Sequence, residues 1–326
     1  MVDVSVIIPN WNGADLLFDC LVSLKKQTYK NFEIIVVDNG STDTSVNFIK
    51  ENYPKIKIVI LDRNYGFAKA INSGVKLSKA KYVAFLNNDT EVDKSWLNNL
   101  VKTIDKHPEA ASVGSKLLNF YNRKIIDGVG IQINEVGQAK SIGWNEKDKG
   151  QYEKEMLVFG VTGGASLFRR SIFIKVGMFD ENYFMYCEEV DWAFRAQFSG
   201  YKAIYCPNAI VYHKHKMSSK KTPQHLEYWQ FRNMTQTIIK DFPMNILLKQ
   251  GRWLKIVLVH LNTYIYMFKN GFYWPSLLAD FWIILHLPIL LKMRFSIQSS
   301  KKIKDDEIEK FLFSKNITYW GLLKKK

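Results

Sequence analysis

The chain has 326 residues, of which 47% are hydrophobic and 24% are charged, and its formal net charge is +15. This length predicts two domains, or one domain with an elaborated tail, and the apolar fraction is ordinary for a globular protein. The three cysteines, Cys20, Cys187 and Cys206, are far apart and form no CxxC motif, which argues against a disulfide framework or a zinc site and favours a reducing compartment.

Short Val/Ile-rich runs alternate with helix-like segments over the first ninety residues. Nearly continuous apolar runs are typical of strands covered on both faces. The predicted strands are Val4–Pro9, Phe32–Asp38, Ile56–Leu61 and Tyr82–Leu86. The predicted helices between them are Ala14–Lys26, about Thr44–Asn52, and Gly66–Ser78. This alternation indicates a parallel α/β sheet with right-handed crossovers.

Each predicted strand ends in polar residues. The four ends read PNWN at 9–12, DNGS at 38–41, DRN at 62–64 and NND at 87–89. Open parallel sheets bind ligands outside the carboxyl ends of their strands, so these residues predict a polar ligand pocket. The turn after the first strand contains the single Gly13 and no GxGxxG, which argues against a dinucleotide-binding Rossmann domain.

The triplet Asn87-Asn88-Asp89 follows the apolar run YVAFL and allows two interpretations. Asn and Asp favour turns, so the triplet could serve turn chemistry alone. Oxygen-bearing side chains are also the ligands that a hard divalent cation prefers. The triplet by itself leaves this choice open.

Several segments resemble, in order and spacing, the family 2 inverting glycosyltransferases, and most closely their rhamnosyltransferase-like branch. These segments are VSVIIPNWNG, VVDNGSTDTS, DRNYGFAKAINSG, FLNNDTEV and the stretch from GGASLFRR to YHKHK. The resemblance implies the α/β GT-A (nucleotide-diphospho-sugar transferase) fold with a mostly parallel central sheet. It covers about residues 3–235 and implies a catalytic domain at 1–235, with a nucleotide-binding half at 1–100 and an acceptor half at 101–235.

The resemblance also implies a site for a nucleotide-diphosphate sugar donor at the strand ends. Asp38 would accept a hydrogen bond from the imide N–H of uracil or thymine, which implies a UDP- or dTDP-sugar. The residues assigned to the donor are Pro9, Asn10, Asn12, Asp38, Asn39, Ser41, Asn64, Gly66, Phe67, Asn87, Asn88 and, as a phosphate-binding candidate, Arg232. A turn glycine at position 66 and a surface arginine at position 232 are the alternatives.

The NND triplet occupies the position of the family's DxD-type metal motif, with Asn87 in place of the first acid. The resemblance implies that Asp89 ligates Mg²⁺ or Mn²⁺, which in turn binds the donor diphosphate. His213, in YHKHK, matches the family histidine that completes this site, and a neutral imidazole is a suitable ligand for Mn²⁺. A purely structural histidine is the alternative.

The segment CEEVDWAFRA resembles the family's E-D-x-D pattern, whose second acid is the general base. That acid is Glu189 here, and Glu188 and Asp191 remain alternatives. Acidic residues in the first turn also complement the helix dipole, so a structural role is open as well. Upstream, the family uses the glycine-rich segment that includes Gly163-Gly164-Ala165 to floor the sugar pocket; a tight turn before a strand is the alternative.

The last third of the chain carries nearly all of the basic excess. Residues 1–213 hold 26 Lys and Arg against 24 Asp and Glu, whereas residues 214–326 hold 20 against 7. The apolar segments Ile246–Phe268 and Trp274–Met293 are interrupted by polar residues, and the longest run of the second that is free of Asp, Glu, Lys and Arg, Phe281–Leu291, is shorter than the roughly 20 residues of a membrane span.

Aromatic residues beside Lys and Arg are typical of interfacial helices, so residues 236–298 are predicted to lie on an anionic membrane surface, and residues 299–326 form a basic tail. The N-terminal sequence lacks the basic region and long apolar run of a secretory signal, which predicts the cytoplasmic face of the membrane. A short hairpin insertion, a soluble helical subdomain and a homodimer interface stay open.

These features imply an inverting, divalent-metal-dependent hexosyltransferase that acts on a lipid-linked or glycan acceptor in cell-surface polysaccharide assembly. The branch favours a rhamnose-like sugar; galactose, galactofuranose, glucose and N-acetylhexosamines remain open. A catalytically degenerate homologue that serves as a nucleotide-binding or membrane scaffold is the alternative, favoured by Asn87 and Glu189. The nucleotide edge argues against a glycosidase, and no recognition motif supports a nucleic-acid partner.

Overall fold

The structure, a computed structural model of the chain, describes residues 2–214, 223–271 and 273–313. Its first four strands are β1 (Val4–Asn10), β2 (Phe32–Asn39), β3 (Lys57–Leu61) and β4 (Tyr82–Leu86). They pair in parallel in the order β3-β2-β1-β4. The helices between them are α1 (Ala14–Lys25), α2 (Ser45–Asn52) and α3 (Gly66–Leu77). The predicted alternation of strand and helix is therefore confirmed within one or two residues.

Both faces of these strands are covered. Successive side chains of a strand point to opposite faces, so Val6 packs with Leu17 of α1, and Ile7 packs with Ile71 of α3. The apolar runs are nearly continuous because each face needs its own hydrophobic layer. Two hydrophobic cores result, one on each side of the sheet.

Residues 90–213 widen the same sheet. Its elements are β5 (Thr90–Val92), α4 (Trp96–Lys106), β6 (Ala110–Asn119), β7 (Ile126–Gly128), β8 (Ile131–Asn134), β9 (Ala139–Ser141), β10 (Met156–Val158), β11 (Ala165–Arg169), α5 (Arg170–Lys175), a 3₁₀ turn (Glu181–Tyr183), α6 (Glu188–Phe198) and β12 (Lys202–His213). The full strand order is β10-β12-β6-β11-β4-β1-β2-β3. Beyond β4 the pairing is mixed, because β11 runs antiparallel to both β4 and β6.

Two of these pairings bring distant segments to the strand-end edge. The antiparallel register of β11 with β4 sets Ala165 opposite Leu86, so the glycine-rich segment before Ala165 lies beside Asn87. The antiparallel register of β12 with β5 sets His213 opposite Thr90, next to Asp89.

Helices dominate the remainder of the described chain. They are α7 (Pro223–Asp241), α8 (Met244–Leu248), a 3₁₀ turn (Lys249–Gly251), α9 (Arg252–Lys269), α10 (Tyr273–Ser299) and α11 (Asp305–Glu309). A final strand, β13 (Leu312–Phe313), pairs in parallel with β8 in a small sheet of order β13-β8-β9. Helix α7 crosses the predicted boundary at residue 235, and residues 314–326 of the predicted tail lie outside the described residues.

Among the described residues, α10 is the one helix that is long and apolar enough, by length and composition, to cross a membrane. It extends beyond the predicted segment Trp274–Met293 at both ends, and only 22% of its most apolar stretch is buried. Together α9 and α10 expose many large hydrophobic side chains. These are Trp253, Leu254, Val257, Leu258, Leu261, Ile265, Phe268, Tyr273, Trp274, Leu277, Leu278, Phe281, Ile284, Leu285, Leu287, Ile289, Leu291 and Phe295.

Candidate active site

The ends of three neighbouring strands are joined by buried side-chain amides and a carboxylate. Asn10, opposite Asp38 in the register of β1 and β2, lies with its Nδ2 3.4 Å from Oδ1 of Asp38. Asn88 donates to Oδ1 of Asn10 at 2.8 Å, and the backbone N–H of Ser41 donates to Oδ2 of Asp38 at 3.0 Å. Asn10 and Asp38 are each only 1% exposed. The predicted donor residues of β1, β2 and β4 therefore form one network.

The turn after β1 docks on the turn after β2. Asn12, at φ 49°, accepts the backbone N–H of Thr42 at 2.7 Å, and its own N–H donates to Oγ of Ser41 at 2.9 Å. Pro9 lies opposite Val37 and is half-buried. These contacts hold the two turns side by side at the same edge.

Asn39 fixes the turn that leads into α3. Its Nδ2 donates to Oδ1 of Asn64 and to the carbonyl of Gly66, both at 3.0 Å. Gly66 has φ 84°, and an added Cβ would lie 2.3 Å from the carbonyl oxygen of Phe184, so this position requires glycine. That carbonyl accepts the N–H of Phe67 at 2.6 Å. The start of α3 is thus bound to the loop that precedes α6.

The glycine-rich segment packs directly on the donor edge. The N–H of Asn87 donates to the carbonyl of Gly164 at 2.8 Å. An added Cβ at Gly164 would lie 2.9 Å from Nδ2 of Asn87, and one at Gly163 would lie 2.9 Å from the ring of Phe67. The predicted floor of the sugar pocket, which ends at Ala165, therefore adjoins the predicted donor residues.

His213 stands between two carboxylates. Its Nε2 is 3.2 Å from Oδ1 of Asp89, and its Nδ1 is 2.5 Å from Oδ2 of Asp127. Burial alone would lower the pKa of the imidazole, but the hydrogen bonds with Asp127 and Asp89 outweigh it and raise the pKa to about 10. Sequence reasoning predicted the proximity of His213 to Asp89 and missed Asp127.

The pair of Asp89 and His213 suits a divalent cation. A carboxylate oxygen and an imidazole nitrogen face each other, and both are acceptable ligands for Mn²⁺ once the cation displaces the proton of Nε2. The hydrogen bond from Nδ1 to Asp127 directs Nε2 toward Asp89, as carboxylates behind metal-binding histidines do. Within residues 2–214, 223–271 and 273–313, no three His, Cys, Asp or Glu side chains are grouped to hold a metal by themselves.

Asp191, the third acid of α6, is engaged in a buried ion-pair cluster. Its side chain is fully buried, and its carboxylate lies 2.6 Å from Nη2 of Arg195 and 2.7 Å from Nζ of Lys240. Burial would raise the pKa of Asp191, but the two cations outweigh it and lower the pKa to about 2. These contacts tie the start of α6 to α7, and its role as a base stays a prediction.

Glu188 and Glu189 have a different environment. Glu188 is buried and Glu189 is half-buried, and among the described residues Oε2 of each has no hydrogen-bond partner. Burial raises the pKa of both carboxyl groups, and the neighbouring charge of Glu189 raises that of Glu188 further. A carboxylate with a raised pKa and an unused oxygen is suited to accept a proton at neutral pH.

Arg232 is buried among aromatic rings. Its guanidinium lies 4.4 Å from the ring centroid of Trp229 and 4.3 Å from that of Trp282, and Nη2 donates to the carbonyl of Asn182. The side chain is 3% exposed. Its role in phosphate binding stays a prediction, and its contacts are with the loop before α6.

Three participants in this geometry carried no sequence signal. Asp127 lies in a three-residue strand, Phe184 contributes a backbone carbonyl, and Asn233, which contacts the loop before α6, lies in the middle of a helix. Each acts through a contact with residues more than 40 positions away, which no local motif reveals.

A profile of glycosyl transferase family 2 matches residues 5–177. The O-antigen biosynthesis protein RfbC of Myxococcus xanthus is 28% identical over 238 residues, which are 69% of this chain and 18% of RfbC. The glycosyltransferase AglE of Haloferax volcanii is 37% identical over 106 residues, 31% of this chain and 35% of AglE. The chain thus spans less than two thirds of the length of these relatives.

Two solved structures share the fold. One is the mannosyltransferase PcManGT from Pyrobaculum calidifontis, in complex with GDP-Man and Mn²⁺. It superposes with a TM-score of 0.53 at 18% sequence identity, and the match covers 91% of this chain and 85% of the PcManGT chain. GalNAc-T7 with UDP, GalNAc and Mn²⁺ superposes with a TM-score of 0.63 at 16% identity and covers 81% and 51%. At these identities the likeness establishes the GT-A architecture.

Proposed function

The chain belongs to glycosyl transferase family 2, and we propose that it is an inverting, divalent-metal-dependent glycosyltransferase that uses a nucleotide-diphosphate sugar. One observation carries this proposal. The strand-end network around Asp38 and the pair of Asp89 and His213 lie at one edge of the sheet, and the loop before Glu189 is hydrogen-bonded to the same edge through Phe67. These contacts support a donor site and a base on one side of the molecule.

Recognition of the uracil or thymine ring of the donor is assigned to Asp38. Its carboxylate is buried, and a buried carboxylate needs hydrogen-bond donors, which the imide N–H of uracil or thymine can supply alongside Asn10 and Ser41. We therefore propose a UDP- or dTDP-sugar, with a rhamnose-like sugar favoured by the branch resemblance.

The transfer itself is proposed as one in-line displacement. The acceptor hydroxyl attacks the anomeric carbon, a new C–O bond forms there, and the bond from that carbon to the diphosphate oxygen breaks. Glu189 takes the proton of the attacking hydroxyl, which is worth about 10²–10⁴ in rate for a positioned base. Gly163 and Gly164 carry no side chain, which lets Phe67 and Asn87 pack directly on this segment and supports its assignment as the floor of the sugar pocket beside the donor residues.

Asp89 and His213 are proposed to hold Mg²⁺ or Mn²⁺. Two protein ligands suffice because such cations commonly take further oxygens from water and substrate phosphates. When bound, the cation would stabilise the negative charge that develops on the leaving diphosphate. The structures of GalNAc-T7 and PcManGT with Mn²⁺ support this assignment by analogy of fold.

We propose that the acceptor is lipid-linked and that the protein works on the cytoplasmic face of a membrane. Eighteen large hydrophobic side chains are exposed on α9 and α10, far more than a soluble surface usually carries in one region. Lys269 and Lys292 are exposed on the same two helices and suit anionic headgroups. The similarity to the O-antigen biosynthesis protein RfbC supports a role in cell-surface polysaccharide assembly.

The donor assignment is tested by thermal stabilisation with UDP, dTDP, GDP and their sugars, each with and without Mn²⁺. We expect stabilisation by a uridine or thymidine diphosphate that depends on Mn²⁺ and is lost in Asp38→Ala. Equal stabilisation by GDP would contradict the assignment of Asp38, and stabilisation independent of Mn²⁺ would contradict the metal site.

A further inference from the structure

The loop of residues 184–187, which precedes α6, has an unusual backbone. Phe184, Tyr186 and Cys187 have φ of 61°, 69° and 69°, in the left-handed region that residues other than glycine rarely adopt. Cys187 is followed directly by Glu188 and Glu189. The direction in which α6 starts therefore depends on contacts that hold this loop.

A single buried side chain of α7 supplies those contacts. Nδ2 of Asn233 lies 2.8 Å from the carbonyl oxygen of Tyr183, 2.7 Å from that of Met185 and 2.8 Å from that of Tyr186. Asn233 is fully buried. The NH₂ group, which carries two hydrogens, thus lies within hydrogen-bond distance of three backbone carbonyls between residues 183 and 186.

The orientation of that amide is set by its neighbours. Oδ1 of Asn233 accepts hydrogen bonds from Nε of Arg232 at 2.9 Å, from Nη2 of Arg232 at 2.7 Å and from Nε2 of Gln236 at 3.0 Å. Because donors surround the oxygen, the NH₂ group is directed at the loop carbonyls. Arg232 also donates to the carbonyl of Asn182, just before the loop. It therefore connects Asn233 to the segment that leads into the loop.

The other side of the loop faces the donor site. The carbonyl of Phe184 accepts the N–H groups of Phe67 and Ala68 at 2.6 and 3.3 Å. The ring of Phe184 stacks on Trp229 of α7, with centroids 4.6 Å apart and an interplanar angle of 13°. The loop is therefore fixed between the start of α3 and α7. Glu189 lies two positions after Cys187, the last residue of the loop.

We propose that Asn233, oriented by Arg232, is a positioning residue that holds the Phe184–Cys187 loop and so places Glu189 toward the donor site. This inference rests on the proposed function, since it assigns a partner to the proposed base. It gives Arg232 a role through Asn233, distinct from the phosphate contact that the sequence suggested.

The test compares Asn233→Ala with Thr235→Ala, a control on the same helix whose hydroxyl donates to the carbonyl of Phe231 in that helix. The first readout is hydrogen–deuterium exchange of residues 183–189, which requires no activity. We expect faster exchange in Asn233→Ala and wild-type exchange in Thr235→Ala. Unchanged exchange in Asn233→Ala overturns the proposal, whether or not a donor is turned over.

The second readout separates kcat from donor binding. We expect kcat of Asn233→Ala to fall about 10- to 100-fold, as a displaced catalytic group does, while KM for the donor and Kd for UDP with Mn²⁺ stay within about threefold of wild type. Faster exchange with an unchanged kcat overturns the positioning role. Failure of the wild type to turn over any donor overturns the proposed function instead and leaves the exchange result to decide the loop contact.

Trp229→Leu serves as a second variant in case Asn233→Ala does not fold. Trp229 is half-buried, and its loss removes both the stack on Phe184 and the ring that lies over Arg232, which orients Asn233. We expect the same pattern at smaller size, with a fall in kcat and little change in KM. A fall in donor affinity with an unchanged kcat contradicts the proposal.

Discussion

Oδ2 of Asp127 lies 2.5 Å from Nδ1 of His213, on the side of the ring away from Asp89. The carboxylate accepts a hydrogen bond from the N–H of Nδ1, which leaves Nε2 directed at Asp89. A carboxylate in this position commonly fixes the tautomer and the ring orientation of a metal-binding histidine. The proposed metal site therefore depends on a residue that would not itself touch the metal.

Asp127→Asn should weaken Mn²⁺ binding about 10- to 100-fold, because an amide orients the ring less firmly than a carboxylate. The measurement is a titration of Mn²⁺ by electron paramagnetic resonance in the presence of UDP. Asp306→Asn, on the exposed face of α11, is the matched control and should bind as the wild type does. Equal Mn²⁺ affinities for the wild type and both variants would show that Asp127 does not contribute to the metal site.

Asp191→Asn should lower the free energy of unfolding by about 3–5 kcal/mol, since it leaves Lys240 and Arg195 buried without their common partner. Urea denaturation at pH 7 measures this. The control is Glu91→Gln, which breaks the exposed ion pair with Arg123 and should lower the free energy of unfolding by about 1 kcal/mol or less. A small effect of Asp191→Asn combined with a complete loss of turnover would instead support Asp191 as the base.

The same ion pairs predict a pH dependence of stability. The pKa of Asp191 is lowered to about 2 from an ordinary 3.8, so its contribution is fully present above pH 3.8 and is lost as the pH falls through 2. The wild type should therefore lose more stability than Asp191→Asn between pH 5 and pH 2, measured by urea denaturation. Parallel curves for the two proteins would contradict this.

The rate of transfer should rise with pH through a pKa above the ordinary 4.5 of a glutamate. Burial raises the pKa of Glu189, and the base must be ionised to accept a proton. Glu188 beside it also has a raised pKa, while Asp191 stays ionised. The measurement is kcat at saturating donor from pH 4.5 to 8, with recovery at pH 7 as the control for unfolding. A profile that is flat over this range would exclude Glu189 as the base.

The exposed face of α10 should bind membranes. Phe281→Ser combined with Ile284→Asn removes two side chains that are 60% and 67% exposed and should reduce co-sedimentation with anionic vesicles. Phe18→Ser, 52% exposed on α1, is the control and should bind as the wild type does. Binding should also weaken at high salt, because part of the attraction is electrostatic. A wild type that leaves such vesicles unbound would contradict the membrane proposal.

The first four strands and the polar residues at their ends could be predicted because Val/Ile runs and polar strand ends are local features. The contact of Asp127 with His213 could not be predicted, because these two residues are 86 positions apart in sequence. They meet only because β7 and β12 both pair with β6. The acids of α6 look equivalent in sequence, and only Lys240 and Arg195 distinguish Asp191 from its neighbours. Arg232 looked like a surface residue because the rings that enclose it come from two helices.

The most direct test is turnover of sugar nucleotides with Mn²⁺ by the wild type, Glu189→Gln and Asp89→Asn. We predict that one UDP- or dTDP-sugar is transferred, or slowly hydrolysed, by the wild type. Glu189→Gln should lose about 10²–10⁴ in kcat while it still binds the nucleotide. Undiminished turnover by Glu189→Gln, or nucleotide binding without turnover of any donor, even with membrane extract as acceptor, would contradict the account and favour a scaffold.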